Sequence, residues 1–169
     1  TTANYETWPE TTHLENGGFV IVWHSNGQDG SGHAVMMQRF DADANKVGIE
    51  TQVNTNEAGN QNLAHVETLT NGDYVVTWSS SDGNGVAAQR FTQDGAKVGT
   101  EIDVNTINGE NSNWKHVPEI SPLEDGGFII VYQSGIGSEI AVYAQRFNAD
   151  NTKDGVETRI YEFDGPLFF

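Results

Sequence analysis

Asp41-Ala42-Asp43-Ala44-Asn45 places oxygen-bearing side chains at alternate positions, the opening of a loop that closes on a hard cation such as calcium. The rest of that loop is incomplete. Gly48 stands where another ligand is wanted, and Glu50 falls two residues short of the glutamate that would bind the ion with both oxygens. In the second copy of the stretch, Thr92 to Lys97, most of the carboxylates are gone. A hairpin turn built on Asx and glycine chemistry is therefore the competing reading of Asp41, Asp43 and Asn45.

Trp8 and Trp114 each stand just ahead of an expected first strand, outside the repeated phrase described below. An indole at a loop edge can stack on a sugar ring while Asn111, Asn113, Gln61 and Asn62 bond its hydroxyls. The plainer expectation is that each caps the end of a core. Arg39, Arg90 and Arg146 share one setting, between a glutamine and a phenylalanine. A guanidinium among small apolar neighbours must find a partner, because an unpaired buried charge is costly. A carbonyl or carboxylate of the next repeat is the expected partner; a ring of ligand-binding arginines is the alternative. Lys46, Lys97 and Lys153 follow in the next turn, so the repeat takes six of the eight basic residues.

Other chemistry is poorly represented. His13, His24, His33, His65 and His116 follow no metal-binding spacing, and His65 and His116 each precede valine as structural histidines would. There is no G-x-S-x-G elbow, no phosphate-binding loop and no cysteine. Two carboxylates joined only by the fold would leave no trace in sequence. The expectation is a non-enzymatic protein.

The elements that must hold these residues are strands. No window of helical length shows a period near 3.6 with a cap and a stop, whereas Gly, Asn, Thr and Asp are abundant. Gly17 to Trp23 ("GGFVIVW"), Asn71 to Trp78 ("NGDYVVTW") and Gly126 to Tyr132 ("GGFIIVY") recur at spacings of 55 and 54 residues. Each leads through a polar linker to Gln-Arg-Phe, then a turn, then "TQVNT", "EIDVNT" or "ETRIYE". With a shorter strand upstream (Pro9 to Leu14, His65 to Leu69, Val117 to Leu123), each unit has four antiparallel strands. Asn71-Gly72 predicts a type I′ hairpin, the doubly apolar second strand predicts cover on both faces, and Ile102 to Asn105 reads as a short polar edge.

The whole chain, 1–169, thus reads as one all-β domain of three β-propeller-blade-like repeats, approximately 5–60, 61–113 and 114–169. A β-sandwich and then a trefoil-like barrel are the alternatives. Propellers typically have 4 to 8 blades. Three units are therefore completed by copies of the chain, belong to a longer array, or close in one of the alternative ways. Phe168 and Phe169 are expected in a closing strand or against a neighbouring molecule.

The phrase "GGFVIVW" followed by "QRFDADANKVG" and "QVNT" resembles the repeats of very large secreted or surface-anchored bacterial proteins of the RTX and calcium-dependent adhesin type. That resemblance implies an extracellular or cell-surface setting and a role in display, adhesion or ligand capture. The glycine-rich calcium nonapeptide of RTX rolls is missing. A formal charge of −16 argues against a nucleic-acid partner, and no apolar run approaches the roughly 20 residues that span a bilayer. The function expected is a binding or adhesion module that takes a surface ligand, above all a carbohydrate, through unequal loops at Ser25 to Gly32, Asn56 to Asn62 and Asn108 to Trp114. A structural spacer that self-assembles through its termini is the alternative.

Overall fold

The computed structural model describes residues 5–81, 85–106, 117–136 and 139–162. They form three separate four-stranded antiparallel sheets, each a simple meander. The first holds β1 (Glu6–His13), β2 (Phe19–Asn26), β3 (His33–Phe40) and β4 (Lys46–Gln52). The second holds β5 (Gln61–Thr68), β6 (Tyr74–Ser80), β7 (Gly85–Phe91) and β8 (Lys97–Asp103). The third holds β9 (Glu119–Pro122), β10 (Phe128–Ile136), β11 (Glu139–Phe147) and β12 (Lys153–Glu162). Three sheets stacked in series are propeller-blade-like units, which sets aside the sandwich and the trefoil.

One turn chemistry closes the first and third hairpins of each sheet. At Leu69 to Asp73, Gly72 N–H donates to Leu69 O at 3.0 Å and Leu69 N–H to Asp73 O at 2.7 Å. This is a three-residue loop, a type I turn ending on a left-handed residue. The type I′ turn expected from Asn71-Gly72 does not form. Only Gly72 has positive φ, 85°, and the Asn71 side-chain oxygen accepts from Asp73 N–H at 3.2 Å. The β3–β4 loop closes the same way, with Ala44 N–H on Asp41 O at 3.1 Å and Asp41 N–H on Asn45 O at 2.9 Å. The β7–β8 loop does so too, with Gly95 N–H on Thr92 O at 2.7 Å and Thr92 N–H on Ala96 O at 2.8 Å, so the outer strand of the second sheet begins at Lys97 instead of the expected Ile102.

Each letter of Gln-Arg-Phe has a separate duty. Gln38 lies where the β3–β4 register slips, and its Nε2 donates to Arg39 O at 2.9 Å and Val47 O at 3.2 Å, filling the bulge. Gln89 repeats both bonds, to Arg90 O and Val98 O; Gln145 repeats the first, to Arg146 O, and makes its second one residue further on, to Gly155 O at 3.5 Å. Phe40, Phe91 and Phe147 stack on the aromatic residue that opens the second strand, at centroid distances of 4.9, 5.3 and 4.9 Å. Arg39 and Arg90 leave their own sheet. Arg39 Nη1 donates to Gln93 O at 3.2 Å, and Arg90 Nη1 to Ala149 O at 2.5 Å, the equivalent carbonyl one sheet further on. Arg90 also pairs with Asp73 at 2.7 Å. Arg146 instead pairs within its own sheet, with Asp125 and, at 3.2 Å, with Asp154.

The core is what lies between sheets. Val20, Val22, Val35 and Met37 on the back of the first sheet meet Tyr74, Val76, Trp78 and Phe91 on the front of the second. Val75, Val86 and Ala88 on the back of the second meet Phe128, Ile130, Tyr132 and Phe147 on the front of the third. Full burial of each large side chain is worth about 1.5–3 kcal/mol. The expectation that every second strand is covered on both faces holds only for β6, where Tyr74 to Trp78 are all buried. In β2, Phe19, Ile21 and Trp23 stay half-buried, and in β10 so do Ile129 and Val131.

The cross-sheet arginine is open to direct measurement. Arg90→Ala strands the Asp73 carboxylate, 17 % exposed, and two acceptors of the third sheet. Urea unfolding should show a loss of about 3–5 kcal/mol; a loss under about 1 kcal/mol, the size of a surface pair, would deny Arg90 its bridging role.

Candidate functional site

The first strands of the three sheets, β1, β5 and β9, run side by side along the inner edge of the stack. Two of them carry the same irregularity. Register slips between Thr7 and Glu10 in β1 and between Asn62 and His65 in β5, so two residues oppose one. The first residue of each bulge is bulky yet left-handed, with φ 56° at Trp8 and 53° at Leu63. Such a backbone costs on the order of 1–3 kcal/mol per residue and persists only where its surroundings enforce it.

The bulges aim side chains into a common cleft of about 290 Å3. Trp8, Leu63 and Val117 give its apolar wall, and Glu10, His65 and Glu119 its polar row. Trp8 is 64 % exposed, so one face of the indole is free. His65 Nε2 sits 3.2 Å from Glu119 Oε2, and its buried Nδ1 has no partner among the described residues. Glu119 remains 63 % exposed. An aromatic face beside two carboxylates and an imidazole can hold a ring of C–H groups on one side and bond hydroxyls on the other.

The residues singled out from sequence are dispersed. Trp8 lies within β1, at its bulge, and not ahead of the strand. Asn111, Asn113 and Trp114 fall outside the described residues, as do His116, Phe168 and Phe169. Gln61 and Asn62 belong to β5 and not to a loop. Gln61 is 1 % exposed; its Nε2 donates to Ala58 O at 2.8 Å, so this amide braces the β4–β5 connection and cannot face a ligand.

Asp41 Oδ1 accepts from the backbone N–H of Asp43 at 3.0 Å and of Asn45 at 2.8 Å, while Oδ2 accepts from Asn45 Nδ2 at 3.1 Å. These donors hold its carboxyl below the ordinary 3.8. Among the described residues no group of three or more His, Asp or Glu is placed to hold a metal ion.

Glu10, His65 and Glu119 were missed by motif reasoning because no local pattern contains them. Their signal lay in the repeat: they recur at 55 and 54 residues, the spacing of Trp23, Trp78 and Tyr132, and so occupy one position in three units. Trp8, Leu63 and Val117 do the same.

No protein-family model and no curated protein matches the sequence. Solved structures do share the fold. A protein of unknown function from Dyadobacter fermentans has 15 % identity and a TM-score of 0.59, covering 89 % of this chain and 40 % of its own. An endo-arabinase from Bacteroides thetaiotaomicron has 15 % identity and a TM-score of 0.59, covering 93 % and 61 %. A thermostable family-43 glycoside hydrolase has 13 % identity and a TM-score of 0.54, covering 96 % and 55 %. The chain thus spans between 40 % and 61 % of the length of these structures. The likeness is one of fold, that of β-propeller proteins.

The Asp41 turn separates a hairpin from an ion loop. With the folded carboxyl held below 3.8, its contribution is complete above that pH and is lost as pH falls through the folded value. Asp41→Ala should lower the melting temperature at neutral pH and erase that acid dependence. Melting should be the same in calcium and in chelator; a rise of several degrees with calcium would put an ion in the loop.

Proposed function

We propose that this chain is a non-enzymatic binding module that takes a carbohydrate in the inner-edge cleft, with Trp8 as its stacking surface. The observation that carries this reading is the pair of strained bulges. Trp8 and Leu63 hold left-handed backbones on adjacent strands and both line the cleft that contains Glu10, His65 and Glu119. Strain of this kind collects at ligand sites. Ring stacking at Trp8 is typical of sugar recognition, with exposed carboxylates as acceptors for hydroxyl protons. The arabinase and glycoside hydrolase named among the similar structures lend the carbohydrate reading further support. The sequence resemblance adds a setting: the surface or secreted bacterial proteins of the RTX and adhesin type, hence an extracellular role in adhesion.

Binding is preferred to turnover on physical grounds. A general acid in glycoside hydrolysis works from a desolvated site, whereas Glu119 is 63 % exposed and Glu10 is exposed. Water has free access to both.

A glycan array followed by titration calorimetry checks the proposal, with Trp8→Gly as the decisive variant. Glycine accepts φ 56° without strain, so the variant should melt no lower than the parent and yet lose the bound glycan. An array with no hits, or undiminished affinity in Trp8→Gly, refutes it. Release of reducing sugar from the bound glycan would make the chain a hydrolase instead.

A further inference from the structure

The front of the first sheet and the back of the third are the two halves of an interface that the described sheets already make twice. On the front of the first sheet, Phe19, Ile21, Trp23 and Phe40 are half-buried, whereas their equivalents Tyr74, Val76, Trp78 and Phe91 are 0 % exposed beneath the preceding sheet. Over these residues lies a groove of about 280 Å3 floored by Ile21, Trp23 and Phe40. On the back of the third sheet, Ile129, Val131, Val142 and Ala144 are half-buried, whereas Val75, Thr77, Val86 and Ala88 are 0 % exposed. Each end is apolar at the positions where the internal interfaces are apolar.

The polar anchors are also retained. Arg39 and Arg90 each donate to a carbonyl of the next sheet, Gln93 O and Ala149 O. Arg146, next in that series, has a side chain 45 % exposed, against 5 % for Arg90. The carbonyl next in the series belongs to Ala42, which lines a hollow of about 130 Å3 on the first sheet. Glu101 and Glu157 each accept the backbone N–H of a threonine from the preceding sheet, at 2.6 and 2.7 Å. Their equivalent Glu50, half-buried, accepts from Gln28 Nε2 of its own sheet at 2.7 Å.

We infer that two copies of this chain pair about a twofold axis, the back of each third sheet lying on the front of the other's first sheet. For this 169-residue polypeptide, pairing covers both outer sheet faces at once, and the six sheets form a ring within the usual 4 to 8 blades. Arg146 of each copy reaches the Ala42 carbonyl of the other. Closure also brings the cleft rows of both copies around one axis, although the pairing does not depend on what those clefts bind.

Sedimentation of the purified chain tests this. The expected mass is twice 18.4 kDa. Ile21→Glu and Val131→Glu should each give a monomer, and Arg146→Gln, at a half-exposed side chain whose ion pairs with Asp125 and Asp154 lie at the surface, should weaken pairing about tenfold or more while the melting temperature of the separated chain changes little. The chain has no cysteine, so mixed Ile21→Cys and Val131→Cys proteins should cross-link to each other and neither to itself. A wild-type monomer at every soluble concentration, a dimer unaffected by Arg146→Gln, a ladder of larger species, or self-cross-linking of either single variant overturns the inference.

Discussion

The structure depends on one contact, the back of a four-stranded sheet laid on the front of the next. A sheet with an apolar face cannot bury that face alone, and stacking on a neighbour gives it cover. The chain meets this need with a repeated device. The aromatic pair of strands two and three presents the front, Val and Ala present the back, and an arginine crosses the seam to a turn carbonyl. The carbonyl is a sound acceptor for this purpose because the hairpin backbone fixes it whatever residue occupies the position.

That stacking also explains the inner edge. First strands of successive sheets are brought together only because the sheets behind them are held in register, and the bulges at Trp8 and Leu63 survive because packed second strands leave them no relaxed alternative. A rigid scaffold carrying strain at one edge is the usual arrangement of a binding site. The cleft is therefore a consequence of the repeat, and its chemistry comes from what each copy places at one equivalent position: glutamate, histidine, glutamate.

Much of this was legible in the sequence, and the limits have physical causes. The recurrence of Gln-Arg-Phe and of the apolar second strand exposed the three units, because every copy must present the same two faces. What escaped was anything set by backbone detail. Asn71-Gly72 signalled a hairpin, but the loop holds three residues, with only Gly72 left-handed, and a dipeptide does not fix loop length. Gln61 looked like a loop amide because the strand boundary lay four residues upstream of where alternation became visible at His65. Trp8 was singled out as an aromatic without a place in the phrase, and its real partners, Leu63 and Val117, differ from it in everything but position. Glu10, His65 and Glu119 share no chemistry that a motif could capture; only alignment of the units against one another reveals them.

The stacking itself can be tested at two backbone amides. Thr55 and Thr106 lie in exposed loops that follow the outer strands, where an N–H would ordinarily exchange quickly with solvent. Each donates instead to a glutamate of the next sheet, Glu101 at 2.6 Å and Glu157 at 2.7 Å. Residue-resolved hydrogen exchange should find both amides protected, and each should become fast when its own glutamate is replaced by alanine while the other stays slow. Rapid exchange of both in the unaltered chain would mean that the sheets do not lie on one another in this way.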